Sequence, residues 1–281
     1  GPPLMRLTIL GSAAAEAVPA LWCECDVCAT ALKRGGKDIR RRSCYLIDDD
    51  TMVDFGPDAF WQTMQFNINL PALQRLIFTH PHIDHLNPVE LGWRRRGYSK
   101  VTKPLTVIGP PTVFLTIMAQ VANNGTACDL ADLQLRRVDV SHGREITDGD
   151  MTILPIAAHH APGKSPLIYV LRRGGKSLLI ANDTGWLTDE SWEVLRGQSL
   201  DAAVIECTSS LIFPDQRNYH MGANTTVAFR DQLRDIGCLK PDAIVVTNHF
   251  SHNGNSLHQD LEAFFTPKGI AVAYDGMVIT F

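Results

Sequence analysis

Short apolar runs of strand-like composition recur along the chain, and stretches with helical spacing fall between them. Runs at residues 7–10, 45–47, 51–53, 75–78, 105–108, 151–158, 167–171, 177–181, 202–205, 243–246 and 270–273 predict strands. Helical patterns with small or polar residues near their starts predict helices at 58–66, 112–121, 189–195, 223–233 and 256–265. The cluster Asp48-Asp49-Asp50 and the pair Gly174-Gly175 each separate two strand-like runs and predict hairpin turns. That many local hairpins do not suit a purely doubly wound parallel sheet. Two mixed β-sheets with helices on the outer faces, an αββα sandwich, accommodate both hairpins and helices. No composition shift, linker, repeat or low-complexity tract divides the chain, so one domain over 5–281 is expected.

Composition narrows the function classes. The 281 residues are 45% hydrophobic, enough for a large core, and disorder and fibre classes are excluded. A formal charge of -4 from 26 basic and 30 acidic residues gives no footprint for nucleic acid or an anionic membrane, and a small-molecule partner fits better. No apolar run approaches the roughly 20 residues that span a bilayer, and no signal segment opens the chain, so a cytoplasmic protein is expected. A homodimer is compatible with the sequence. Gly1-Pro2-Pro3 reads as the scar of a cleaved tag, which sets residues 1–4 apart and makes Met5 the expected first native residue.

The densest chemistry follows the run 75–78. His80, His82, Asp84 and His85 place four ligand-type side chains in six residues, which core packing does not explain. Imidazole and carboxylate together suit zinc, manganese or iron, and two ions can share such a cluster. His80 and His82 point the same way from an extended turn, while Asp84 and His85 fall where a helix is expected to begin. A histidine-rich surface loop is the competing account, but surface loops seldom reach this ligand density. Elsewhere, three of seven cysteines crowd into Cys23, Cys25 and Cys28, too close for paired disulfides of good geometry, and a metal clip is the better reading. Cys44, Cys128, Cys207 and Cys238 read as small core residues.

His80-Pro81-His82-Ile83-Asp84-His85 resembles the HxHxDH signature of the metallo-β-lactamase superfamily. The resemblance implies a further histidine after a strand, for which His159 and His160 both qualify, with His160 preferred because His160-Ala161-Pro162 matches the family spacing. It implies a metal-bridging aspartate at Asp183, in Asn182-Asp183-Thr184-Gly185, and a last ligand at His249 after the run ending in Asn248. Asp54 resembles the aspartate that orients a ligand histidine. Asp84 is both a ligand and a catalytic candidate.

Within the superfamily, Gly11-Ser12-Ala13, the Cys23-Glu24-Cys25-Asp26-Val27-Cys28 stretch, His249-Phe250-Ser251-His252 and the closing Tyr274-Asp275-Gly276 are similar to the PhnP-type phosphodiesterases, which hydrolyse cyclic ribose phosphates. That similarity implies a structural zinc on Cys23, Cys25, Cys28 and His252, two divalent ions in the hydrolytic site, and an active-site histidine for which His220 is the candidate. It implies a small phosphate ester as substrate, with His220 protonating the leaving group. A lactonase, thioesterase or nuclease on the same fold is the alternative. The PqqB cofactor-biosynthesis proteins share the cysteine-rich opening but lack a full HxHxDH, so the complete signature argues against that group. Trp93-Arg94-Arg95-Arg96 reads as a solvated basic turn rather than a phosphate contact, and His142 and His258 as surface residues.

Overall fold

The apolar runs become strands because both of their faces are covered. In a computed structural model that describes residues 3–123, 125 and 128–281, these residues form two seven-stranded mixed sheets. Residues 1 and 2 of the expected tag remnant lie outside the described residues. The first sheet takes Arg6–Gly11 (β1), Cys44–Ile47 (β2), Thr51–Val53 (β3), Arg75–Ile77 (β4), Leu105–Gly109 (β5) and Leu135–Asp139 (β6). The second takes Ile146–Asp148 (β7), Met151–Ala157 (β8), Leu167–Arg173 (β9), Lys176–Ala181 (β10), Leu200–Glu206 (β11), Leu239–Asn248 (β12) and Ala271–Val272 (β13), after which Met277–Thr280 (β14) returns to the edge of the first. The expected hairpins are present: β2 and β3 pair antiparallel around Asp48–Asp50, and β9 and β10 around Gly174-Gly175. The pairs β3·β4·β5·β6 and β10·β11·β12·β13 are parallel.

Three apolar layers follow from the alternation of side chains along each strand. Leu178 and Ile180 of β10 join Ala202 and Val204 of β11 and Ile9, Tyr45, Ile47 and Ile108 of the first sheet in an inner layer. Their neighbours Leu179, Ala181, Ala203 and Ile205 face outward into a layer closed by Trp192 and Leu195 of Asp189–Arg196, Phe229 and Leu233 of Ala223–Asp235, and Leu261 and Phe265 of His258–Phe265. On the other side, Leu46, Leu76 and Val107 pack with Ala59 of Ala59–Gln65, Leu91 of Pro88–Gly92 and Phe114 and Ile117 of Pro111–Asn123. This is the αββα sandwich. In chain order the helices are α1 (Asp26–Arg34), α2 (Ala59–Gln65), α3 (Pro88–Gly92), α4 (Pro111–Asn123), α5 (Asp189–Arg196), α6 (Ala223–Asp235) and α7 (His258–Phe265). Among the described residues, no helix is long and apolar enough to cross a membrane.

Two buried tyrosines of the inner layer tie the sheets together where the strands end. Tyr45 Oη donates to Asn182 Oδ1 at 3.0 Å and accepts from Asn248 Nδ2 at 2.8 Å, holding the residues that precede Asp183 and His249. Tyr169 Oη donates to the carbonyl of Phe78 at 2.7 Å, two residues before His80.

Candidate metal centre

The carboxyl ends of β3, β4, β8, β10, β11 and β12 converge on one end of the sandwich, and each is followed or closed by a polar side chain of the site. After β4, the chain turns tightly, with Leu86 N donating to the carbonyl of His82 at 2.9 Å. Asp84 and His85 lie in this turn rather than at the start of a helix, because α3 begins only at Pro88, where Asn87 Oδ1 caps Val89 N. Ligand atoms of His80, His82 and His160 fall within 4.8 Å of one another, and so do those of Asp84, His85, Asp183 and His249.

His159 and His160 separate clearly. Both sit in the bend after β8, so strand alternation is not what distinguishes them. His159 Nδ1 turns away to donate to the carbonyl of Trp186 at 2.9 Å. His160 Nδ1 donates to the carbonyl of Tyr219 at 3.1 Å, which leaves its Nε2 facing Asp183 Oδ2 at 4.0 Å.

His80, His85 and His249 are also held by their outer nitrogens, as metal-binding histidines usually are. His85 Nδ1 donates to Asp54 Oδ2 at 2.5 Å. Thr79 Oγ1 gives its proton to Asp54 and therefore accepts from His80 Nδ1 at 2.9 Å. His249 Nδ1 shares a hydrogen bond of 2.8 Å with Thr208 Oγ1. Asp54, Asp183 and His249 all take left-handed backbone, with φ of 63°, 48° and 67°, a conformation costly enough outside glycine that it concentrates at functional sites.

The sequence Asp183-Thr184-Gly185 has a separate task for each residue. Asp183 Oδ2 contacts His85 Nε2 and lies 3.4 Å from His80 Nε2, while its Oδ1 lies 3.3 Å from His249 Nε2. Thr184 Oγ1 accepts from His159 N at 2.9 Å. Gly185 lets another chain segment approach, since a Cβ there would sit 2.2 Å from the carbonyl oxygen of Arg217 and 2.6 Å from Tyr219 N.

The donor set fits divalent cations. Asp54, Asp84, Asp183 and Glu206 are buried carboxylates, none more than 7% exposed, and buried charge of one sign demands a counter-charge. The Nε2 atoms of His80, His160 and His249 and Oδ1 of Asp183 are buried without a hydrogen-bond partner, all aimed into the same space. Burial and the neighbouring rings of His85 and His160 push His80 well below its ordinary pKa, so it presents a neutral ring. Burial opposes a charge on His85, but Asp84, Asp183 and Asp54 outweigh it and raise that pKa well above the ordinary value. For Asp183 burial likewise opposes charge, and His249 and His85 still hold it well below the usual carboxylate range.

Beside these groups stands a pair that the sequence reading found only by half. His220 is where the motif placed it, but its partner Glu206, the last residue of β11, was missed. Glu206 Oε1 accepts from His220 Nδ1 at 2.7 Å and from Thr184 N at 3.1 Å, and Oε2 accepts from Thr208 N and Met221 N at 2.8 and 3.1 Å. Burial works against a charged His220, yet Glu206 and then Asp183 push its pKa up to about 9. Asp183, Glu206, His220 and His249 also offer atoms within 4.8 Å of one another, but the His220 atom nearest Glu206 is already engaged there. A cavity of roughly 250 Å³ opens over the site, lined by His82, Asp84, His160, Asp183, His220 and His249 among others.

Cys23, Cys25, Cys28 and His252 form a second, separate group, with ligand atoms within 4.8 Å and no disulfide. Cys25 caps α1, a helix that begins inside the cysteine motif, and its Sγ accepts from Cys28 N at 3.5 Å. Burial raises the Cys25 thiol, but His252 and these hydrogen bonds bring it down to about 6, while burial pushes Cys28 up to about 12 with Cys25 beside it. A cation is what allows neighbouring thiolates to coexist. Phe250 N donates to the carbonyl of Ser12 at 3.0 Å and Ala14 N to that of Phe250 at 2.9 Å, so the group clamps the loop after β1 to the segment carrying His249.

The remaining candidates lie elsewhere. Arg94 donates to the carbonyls of Leu133, Lys103 and Gln134. His142 accepts from Ala157 N and is half-buried, and His258, expected on the surface, is buried against Arg40 because α7 turns it inward. Cys44, Cys207 and Cys238 are buried as expected, whereas Cys128 is half-buried.

A family model described as a beta-lactamase superfamily domain matches residues 50–249. A curated octanoyltransferase of Porphyromonas gingivalis is 26% identical over 292 residues, covering 97% of this chain and 51% of that protein, so the chain spans about half the length of this relative. The structure of a diphosphatase from the PhnP family aligns with a TM-score of 0.75 at 21% identity, over 99% of this chain and 98% of that one. Zn(2+)-bound PqqB from Methylobacterium extorquens aligns with a TM-score of 0.72 at 18% identity, over 98% and 99%.

Proposed function

The chain belongs to the metallo-β-lactamase superfamily, and from that premise we propose that it is a dinuclear metal-dependent hydrolase of compact phosphodiesters, cyclic ribose phosphates included. His80, His82 and His160 would hold one ion and Asp84, His85 and His249 the other, with Asp183 in reach of both. Zinc, manganese and iron all suit this mixture of imidazole and carboxylate. When bound, such ions acidify water and offset the charge that builds on phosphoryl oxygens. A zinc on Cys23, Cys25, Cys28 and His252 would be structural, since that donor set is thiolate-rich and closed.

The chain's own groups supply the rest. Asp84 lines the cavity and accepts a hydrogen bond from the attacking water. Glu206 holds the Nδ1–H of His220 and favours its protonated form, so that its Nε2–H would be the proton for the leaving oxygen. The observation that supports the phosphodiester reading over a thioesterase is this His220–Glu206 pair at the cavity, because an alkoxide leaving group needs the strong proton donor that a thiolate does not. A cavity of roughly 250 Å³ suits a small substrate rather than a nucleic acid strand.

The PhnP-family neighbour is described as a diphosphatase; a diphosphate would expel a phosphate, a weaker base than an alkoxide, and would depend less on His220. Metal-reconstituted protein assayed against cyclic phosphates, linear diesters, diphosphates, lactones and thioesters tests the reading. Phosphorus esters turn over fastest if it holds. Faster turnover of a lactone or thioester overturns it.

A further inference from the structure

One wall of the cavity is the loop Ala14, Ala15 and Glu16, and Glu16 brings a carboxylate to a cavity whose described lining residues include no Lys or Arg. The neighbouring cations are committed elsewhere. Arg42 donates to the carbonyl of Ala15 and pairs with Asp58 at 3.2 Å, and Arg217 lies over the Trp186 ring at 4.0 Å. Glu16 does not swing freely: its Oε2 accepts from His252 Nε2 at 2.8 Å, and its loop is pinned by Ala17 N to the carbonyl of Ala14 at 3.1 Å and Val18 N to that of Arg40 at 2.9 Å. The side chain is 57% exposed and lines the cavity.

Resting on the phosphodiester reading, we propose that Glu16 is a specificity residue that admits phosphodiesters with uncharged or cationic substituents and rejects those bearing a second anionic group, such as a terminal phosphate. The phosphodiester anion itself is answered by the metal-binding groups across the cavity. A second anion reaching the Ala14–Glu16 wall meets a like charge, while the Arg42 guanidinium beside Ala15 is paired with Asp58, and such repulsion between partly exposed charges lowers affinity roughly tenfold.

The test compares two aryl phosphodiesters that differ only in a terminal phosphate on the alkyl arm, together with non-hydrolysable phosphonate versions of each for calorimetry on metal-loaded protein. Wild type is expected to favour the singly charged member roughly tenfold in both kcat/KM and Kd, with the preference shrinking at high salt. Glu16→Gln keeps an acceptor for His252 but removes the charge, and should abolish most of the preference with the active-site metal pair retained. Glu16→Lys should reverse it. Preferences identical in wild type, Glu16→Gln and Glu16→Lys overturn the proposal. Failure of the phosphodiester reading is separate: wild type then turns over neither diester, while the calorimetric preference still reports on Glu16.

Discussion

Glu206 Oε1 sits 2.7 Å from His220 Nδ1, and the same carboxylate takes backbone protons from Thr184, Thr208 and Met221, so the imidazole is fixed by a group that is itself immobile. Four donors on one buried carboxylate fix its position, and the ring it holds lines the cavity. A leaving group of low basicity needs little protonation, whereas an alkoxide needs a great deal. His220→Ala should therefore slow alkyl diesters ~100- to 10,000-fold while slowing nitrophenyl diesters far less, with the metals retained. Equal losses on both substrates, or loss of a metal, would remove the proton-donor role. Glu206→Gln should reproduce the same selectivity in milder form.

His160 and His159 make opposite commitments, one facing Asp183 and one bonded to Trp186. In elemental analysis, His160→Ala should release one ion of the pair and His159→Ala should retain both. Metal loss confined to His159→Ala would mean that the bend after β8 is turned the other way.

Asp54 touches His85 and Thr79 but lies behind them, fully buried. Removing such an orienting carboxylate typically weakens metal affinity ~10- to 100-fold. Asp54→Asn should show that loss in a chelator competition, and an unchanged metal affinity would count against the orienting role.

Cys25 caps α1 and faces His252, at a distance from the reacting groups. Cys25→Ser should cost one zinc per chain and lower Tm more than it lowers kcat, since binding free energy at a closed site is folding free energy. An unchanged Tm would contradict a structural role.

What the sequence made legible, and what it hid, follow one physical rule. Strands buried on both faces, such as β9, β10 and β11, read as continuous apolar runs and were found. The strands that were not, β6, β7 and β14, are all sheet edges: in β6 charge replaces the apolar pattern, as in Leu135-Arg136-Arg137-Val138-Asp139, and β7 and β14 are only three and four residues long. His80 to His85 were legible because the ligands are adjacent in sequence. Glu206 was not, because it is one acid at the end of an apolar strand with its partner fourteen positions away. The signal was nonetheless there: Asp54, Asp183 and His249 each follow closely on a buried strand, and the same rule applied to the run 202–205 points to Glu206. Tyr45 gave no signal at all, since its bonds to Asn182 and Asn248 span both sheets.

The dinuclear site itself is tested most directly by counting metal ions in purified wild-type and Asp183→Ala protein. Asp183 is the carboxylate within 4.0 Å of Nε2 on His80, His85, His160 and His249, so it is common to both groups, while the cysteine group is independent of it. The account predicts three ions per chain in wild type and loss of the active-site pair with the cysteine-bound zinc retained in Asp183→Ala, together with loss of hydrolysis. An Asp183→Ala protein that keeps all its metal, or a fully active wild type with a single ion per chain, would contradict it.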